Sequence, residues 1–517
     1  METAIKTTQI EVNDPWVIIK NLHCSIESKD HQIKLLEERV QYLLHYRFGS
    51  KSEQLNDKQG SLFDDTEVPV EENTEEEIEV PSHKRKKGGR RKPPKDLERI
   101  RIEHSLTEQQ QQCDCCGDLL QIKSEEITER YNVEPARFWI EEHVRLTYGG
   151  CHCNKPLVTA PYDPPPPLPR TQASAGMLAW IGTSKFVDGL PANRIASIME
   201  KRFGIPFTST TLADWMIKAA ERLITPLLAA FEQVIHEADY LHVDETTLQV
   251  LLEPNRTAKQ KSYIWSRVTG SGIPVVLMSY SPSRAGAVAS ELLKNFRGYL
   301  QTDGYAGYGA TAQREDIIQL GCWAHVRRKF DAAAKSSAPG AANIARQAMK
   351  LIGKLYHLDN QGKERPPDER TRYRQQVVSP KLRELRQWLD SHMGQALSYG
   401  GLLSTAFIYI HNQWPKLIVF VQDGRLSMDN NKAERHFRPI AVGRRTWLFA
   451  KSERGAHATA AWYSLVETAK ANGLEPYWYL KMLFEAIPSY LRDEKPLDDL
   501  LPWNVDPEQI MPSLRGG

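Results

Sequence analysis

A chain of 517 residues, 41% hydrophobic and 26% charged, has the composition of a soluble globular protein with several domains. It holds no run of about 20 apolar residues, which excludes a helical membrane span, and no basic-then-apolar leader, which excludes a signal peptide. The default location is therefore the cytoplasm. Net charge is only +2, but it averages over sorted blocks: 64–79 carries only acidic charges, whereas Lys84–Lys87 and Arg90, Arg91 and Lys92 are wholly basic.

In chain order, residues 1–50 read as a coiled-coil helix. Ile19, Ile26, Ile33 and Val40 fall at heptad position a, and Leu22, Lys29, Leu36 and Leu43 at d. β-Branched residues at a with leucine at d favour a two-stranded coil. The other reading is one amphipathic helix packed on its own chain. Dimerisation is preferred because the charged, flexible linker that follows, 51–98, offers no local core. Its basic half, with Arg90, Arg91 and Lys92, is assigned to DNA phosphates, against the alternative of a solvated charge run.

Residues 99–162 read as a zinc-binding module. Cys113 and Cys116 form a C-x-x-C knuckle before Gly117, and Cys151 and Cys153 supply the second pair of one structural Zn²⁺ site. That pair has tighter spacing, so Cys115 or His152 stand as alternative ligands, and unmetallated cysteines as the alternative to a site. Prolines mark 163–172 as a stiff linker. Within 173–236, helices over Ala192–Phe203 and Thr208–Ile224, broken at Gly204, suggest a helix-turn-helix-like DNA-binding region, a shape that also occurs without DNA binding.

The chemistry lies in 237–455. Tyr240–Thr246 reads as a strand ending in the carboxylates Asp244 and Glu245. Ser262–Val268 and Val275–Tyr280 read as further strands, Ala285–Phe296 as a helix, and Gly298–Gly304 as a strand ending in Asp303. Three strands, a helix and a fourth strand open a ribonuclease H-like fold, in which the first and fourth strands are neighbours. A later helix, capped by Asp429, supplies Glu434 as third carboxylate. Hard carboxylate oxygens in such a set suit two Mg²⁺ or Mn²⁺ ions, which would assist in-line attack at a phosphodiester. Cys322 and His325 have C-x-x-H spacing but are too few alone, and read as a buried structural pair.

These blocks together resemble the insertion-sequence-66 family of DDE transposases. The likeness runs through Arg47–Glu53, Gly89–Pro93, Cys113–Gly117, His242–Thr246, Thr302–Tyr305, Cys322–Phe330, Asp429–Arg435 with Arg438 and Pro439, Tyr463–Leu474 and Leu501–Asn504. It implies a multidomain α/β protein: a ribonuclease H-like catalytic domain with a helical insertion over about 306–425, and a C-terminal helical region over 456–517. Asp244, Asp303 and Glu434 become catalytic metal ligands, with Arg435 and Arg438 as DNA contacts. Gly150 departs from the pattern, standing where the family usually has a cysteine. The implied function is two-metal-ion cleavage and strand transfer at the ends of an insertion sequence. DNA, a second copy of the chain and accessory proteins of the same element are the implied partners, with no membrane, and the bacterial nucleoid is the place of action. A silent transposase-derived regulator and a metal-dependent nuclease without joining remain the alternatives.

Overall fold

The computed structural model describes residues 15–48, 138–141, 143, 147–148, 158–159 and 161–510. The chain divides into a unit of residues 1–51 with 145–510 and a second of 52–144 with 511–517. The following concerns the first unit. Cys113, Cys116, Cys151, Cys153, Arg90, Arg91 and Lys92 lie outside the described residues.

Helix α1 (Pro15–Phe48) covers the heptad segment. Ile26, Ile33, Leu36, Val40 and Leu43 are all more than half exposed, while Glu38, on another face, is 7% exposed. The Glu38 carboxylate accepts the Leu402 N–H at 2.5 Å and Lys34 donates to the Tyr399 carbonyl, so α1 docks on its own chain by a polar contact. The helix thus packs on its own chain through a polar face, while Ile26, Ile33, Leu36, Val40 and Leu43 of the heptad seam face outwards. Replacing Ile26 and Ile33 by Glu should shift the protein towards monomer in sedimentation. An unchanged sedimentation coefficient would remove the seam from any assembly.

After a short ladder of β1 (Thr147–Tyr148) and β2 (Val158–Thr159), four helices follow: α2 (Ala175–Phe186), α3 (Ala192–Phe203), α4 (Ser209–Ala219) and α5 (Thr225–Glu237). Ser174 caps α2 by accepting from the Met177 N–H, and Gly204, at φ 69°, ends α3 in the left-handed conformation glycine tolerates. Thr208 caps α4 as expected, but the helix does not stop at Ile224: a π turn over Ala220–Ile224 carries it into α5.

The sheet comprises β3 (Tyr240–Leu252), β4 (Lys261–Thr269), β5 (Val276–Ser281), β6 (Gly298–Gln301), β7 (Ile317–Leu320) and β8 (Ala450–Ser452). Its order is β5-β4-β3-β6-β7, with β8 pairing to β3. β3 runs antiparallel to β4 and parallel to β6, and β6 parallel to β7. Two expectations change. β3 continues six residues past Thr246, because Leu248 and Val250 keep the buried alternation while β4 and β8 pair with it, so Asp244 lies mid-strand. The stretch 306–425 also contains β7, so its long helices start only beyond that strand.

Short α6 (Gly286–Leu292) and α7 (Gly309–Ala312) flank β6. The helical part comprises α8 (Trp323–Ser336), α9 (Pro339–Gln361), α10 (Pro367–Tyr373), α11 (Ser379–Tyr399) and α12 (Gly401–Leu417). These build their own core around Trp323, Phe330, Ile352, Leu385 and Phe407. Then come α13 (Asn431–Trp447), α14 (Glu453–Ala471), α15 (Pro476–Arg492) and the short α16 (Pro507–Ile510).

Residues 173–236 and 456–510, read as parts of separate regions, share one core with the sheet. α14 lies on β5, where Thr468 Oγ1 accepts the Val276 N–H at 3.0 Å and Ser464 Oγ accepts the Met278 N–H at 2.8 Å. Trp462 stacks on Phe186 of α2 at 5.0 Å and donates its indole N–H to the Met216 carbonyl of α4. Leu212, Trp215 and Met216 of α4 are buried in the same core. Among the described residues no helix is long and apolar enough to cross a membrane.

Candidate active site

Asp244 and Asp303 are brought together by strand register. β3 and β6 pair in parallel with His242 opposite Gln301, so the same register carried two residues further sets Asp244 beside Asp303. Asp303 sits just past β6. Its Oδ1 accepts the Tyr305 N–H at 2.8 Å, and its carbonyl accepts the Tyr409 hydroxyl at 2.8 Å, which ties the turn to α12.

Glu434 lies in the first turn of α13. Fully buried Asn430 holds that end of the helix against the strand. Its Nδ2 donates to the Val243 carbonyl at 3.0 Å, its Oδ1 lies 3.0 Å from His242 Nδ1, and its backbone N–H donates to Cys322 Sγ at 3.2 Å. Burial pushes His242 down to about 3, so the ring is neutral. The proton must then sit on Nδ1, because amide Oδ1 only accepts, and Nε2 is left as a buried atom without a partner. One asparagine thus links β3, α13 and the start of α8.

Burial, then the carboxylates of Asp303, Glu245 and Glu434, push Asp244 well above the usual carboxylate range. Glu434 is also raised, by burial first, against the lowering effect of Arg328. Arg328 of α8 donates to both Glu434 oxygens, at 2.5 and 2.8 Å.

The two neighbouring acids are already committed. Glu245 accepts from Arg284 Nε and from the Tyr308 hydroxyl, both at 2.6 Å. Asp429 accepts the Asn431 N–H and the Tyr356 hydroxyl, both at 3.1 Å, so it caps α13 although Asn430 occupies the cap position. Asp244, Asp303 and Glu434 offer carboxylate oxygens at the cluster, where burial and then mutual repulsion raise Asp244. That set fits a hard divalent cation, whose charge would relieve the crowding.

A third element joins the cysteine–histidine pair: ligand atoms of Cys322, His325 and Glu434 lie within 4.8 Å of one another. Burial pushes the Cys322 thiol up to about 12, so it stays protonated, in keeping with a buried structural role. Arg435 and Arg438 are exposed on α13. Sequence reasoning assigned no role to Arg284, Tyr308, Arg328 or Asn430. Arg328 and Asn430 do fall inside two of the blocks that carried the resemblance, whereas nothing local marks the other two.

The family model described as "Transposase IS66 family" matches residues 170–458, from α2 through the acidic cluster into α14. The chain belongs to the IS66 family of transposases. The IS66 C-terminal element matches 464–503, and the zinc-finger binding domain of transposase IS66 matches 110–154, a span that includes all four expected zinc ligands. "Transposase C of IS166 homeodomain" matches 35–102.

Two curated relatives come from Sinorhizobium fredii. The uncharacterized protein y4hP is 29% identical over 91% of this chain and 88% of its own length. The uncharacterized protein y4jD is 28% identical over 81% and 82%. IS66 membership makes the chain a transposase with DNA as its partner, a polynucleotidyl-transferase type of enzyme with metal use.

Proposed function

We propose that this IS66 transposase cuts DNA at the ends of its element and joins them to target DNA in one site formed by Asp244, Asp303 and Glu434 on a ribonuclease H-like sheet. The observation that carries this is the parallel β3–β6 register, with Asn430 bringing Glu434 to the same cluster. The strand order, antiparallel on one side of β3 and parallel on the other, supports the fold assignment.

The three carboxylates would hold two Mg²⁺ or Mn²⁺ ions, which when bound activate the attacking oxygen and stabilise the leaving one. Before that, Glu434 must give up its paired hydrogen bonds to Arg328. The freed guanidinium stays beside the cluster as a partner for a phosphate oxygen. In cleavage, water oxygen bonds to phosphorus and the P–O3′ bond breaks, leaving a 3′-hydroxyl. In joining, that hydroxyl oxygen bonds to a target phosphorus as the target's own P–O3′ bond breaks.

The test is an assay of cutting and joining on DNA taken from the borders of the gene, with any accessory proteins of the element supplied. Cutting without joining would make the protein a nuclease, and neither, with DNA still bound, a silent regulator.

The same proposal has Cys113, Cys116, Cys151 and Cys153 holding one structural zinc, Arg90, Arg91 and Lys92 lying along phosphates, and the α1 seam pairing two chains on two ends. Elemental analysis should find about one zinc per chain, lost together with end-specific binding when Cys113 and Cys116 become Ser. Normal DNA binding by zinc-free protein would contradict the zinc assignment.

A further inference from the structure

We propose that the outward face of α13 is a track for one DNA strand, running from Glu434 along Arg438 to Arg445. The position of its near end rests on Glu434 belonging to the active site. Glu434, Arg438, Ala441 and Arg445 recur at steps of four, three and four, which sets them on one helical face. The adjoining face, with Ala433, Phe437 and Ile440, is buried, whereas Arg438, Ala441 and Arg445 are exposed.

Charge on this helix is one-sided. Its Lys and Arg number five, its sole acid is Glu434, and two of the five turn inwards, Lys432 to the Thr269 carbonyl and Arg444 to the Thr247 carbonyl. An arginine on a helix surface ordinarily meets an acid three or four residues away, but around Arg445 those positions hold Ala441, Val442, Leu448 and Phe449. Arg445 pairs with no carboxylate among the described residues. Its guanidinium is therefore free for an anion from outside, and phosphate is the anion its fork fits in pairs.

At 1.5 Å per residue the row extends about 16 Å, or about five nucleotide steps at 3.4 Å each. Since the row starts at the acidic cluster, the strand that leaves the reacting phosphate meets Arg438 first and Arg445 last.

The experiment uses the full chain without added Mg²⁺ or Mn²⁺ and without chelator, so binding is read without cleavage and a structural zinc is kept. The probes are a labelled duplex from the gene's border and a shuffled duplex of equal length. Arg445→Gln, and Arg438→Gln with Arg445→Gln, should weaken both probes several-fold. The plot of log affinity against log salt should become shallower by about 0.9 per arginine lost. Arg445→Lys keeps the charge and should keep the slope. In the wild type, ethylating phosphates up to about five nucleotides from the cut bond should block binding, and in the double variant should not.

Unchanged affinity and slope in Arg445→Gln would overturn the track, whatever Glu434→Gln does to catalysis. Weakened binding beside a fully active Glu434→Gln would keep the DNA surface and overturn only its starting point.

Discussion

Asp244→Asn is expected to abolish both cutting and joining, by on the order of 10³-fold or more, while DNA-end binding survives. The substitution keeps side-chain size and the hydrogen bond from the Glu245 N–H, but removes the charge that would balance the metal ions. Asp303→Asn and Glu434→Gln should do the same. Because the three act as one unit, combining them should add little.

The third ligand has two rivals, Glu245 and Asp429, and the proposal favours Glu434 because it has one hydrogen-bond partner to release, Arg328, where each rival has two. Both oxygens of Glu245 are taken by Arg284 and Tyr308, and those of Asp429 by Tyr356 and the start of α13. Glu245→Gln and Asp429→Asn should therefore keep measurable activity where Glu434→Gln has none. Activity retained in Glu434→Gln and lost in Asp429→Asn would move the third ligand to Asp429. Wild-type rates from Asp244→Asn would refute the site altogether.

Trp462→Ala should cost about 3–5 kcal/mol, the usual range for emptying a buried tryptophan. The side chain is fully buried, stacked on Phe186, edge-on to Phe484 at 5.7 Å, and hydrogen-bonded to the Met216 carbonyl. Gly182 is part of the same fit, since a Cβ there would strike the indole ring. One residue of α14 thus joins α2, α4 and α15. Its loss should lower the melting of all these helices and the sheet together, in one transition seen by circular dichroism and by proteolysis. Separate melting of residues 173–236 would mean that the helices fold on their own. Trp462→Phe, which retains an aromatic stack but loses the hydrogen bond, should cost less than Trp462→Ala.

Local pattern was enough for elements whose signals are local. Apolar spacing and Gly204 located α3 to the residue, Thr208 marked the start of α4, and alternation found the strand carrying Asp244 and the one that ends at Gln301, two residues before Asp303. Strand ends were less legible. β3 runs past its acidic residues because β4 and β8 pair with it, and neither partner can be read from positions 247–252 alone.

The amino-acid order by itself determined the acids, their sequence along strand, strand and helix, and the heptad seam, because each depends on residue type and short-range period. Tertiary structure decided everything that depends on separation across the fold. Register put Asp244 beside Asp303, and Asn430 drew Glu434 in from far along the chain. Arg284 and Arg328 each took hold of one acid, Glu245 and Glu434, by contacts 39 and 106 residues apart. The helices before and after the sheet became one core for the same reason. An apolar face is visible in sequence, but the surface it covers is chosen only when distant segments pack and exclude water.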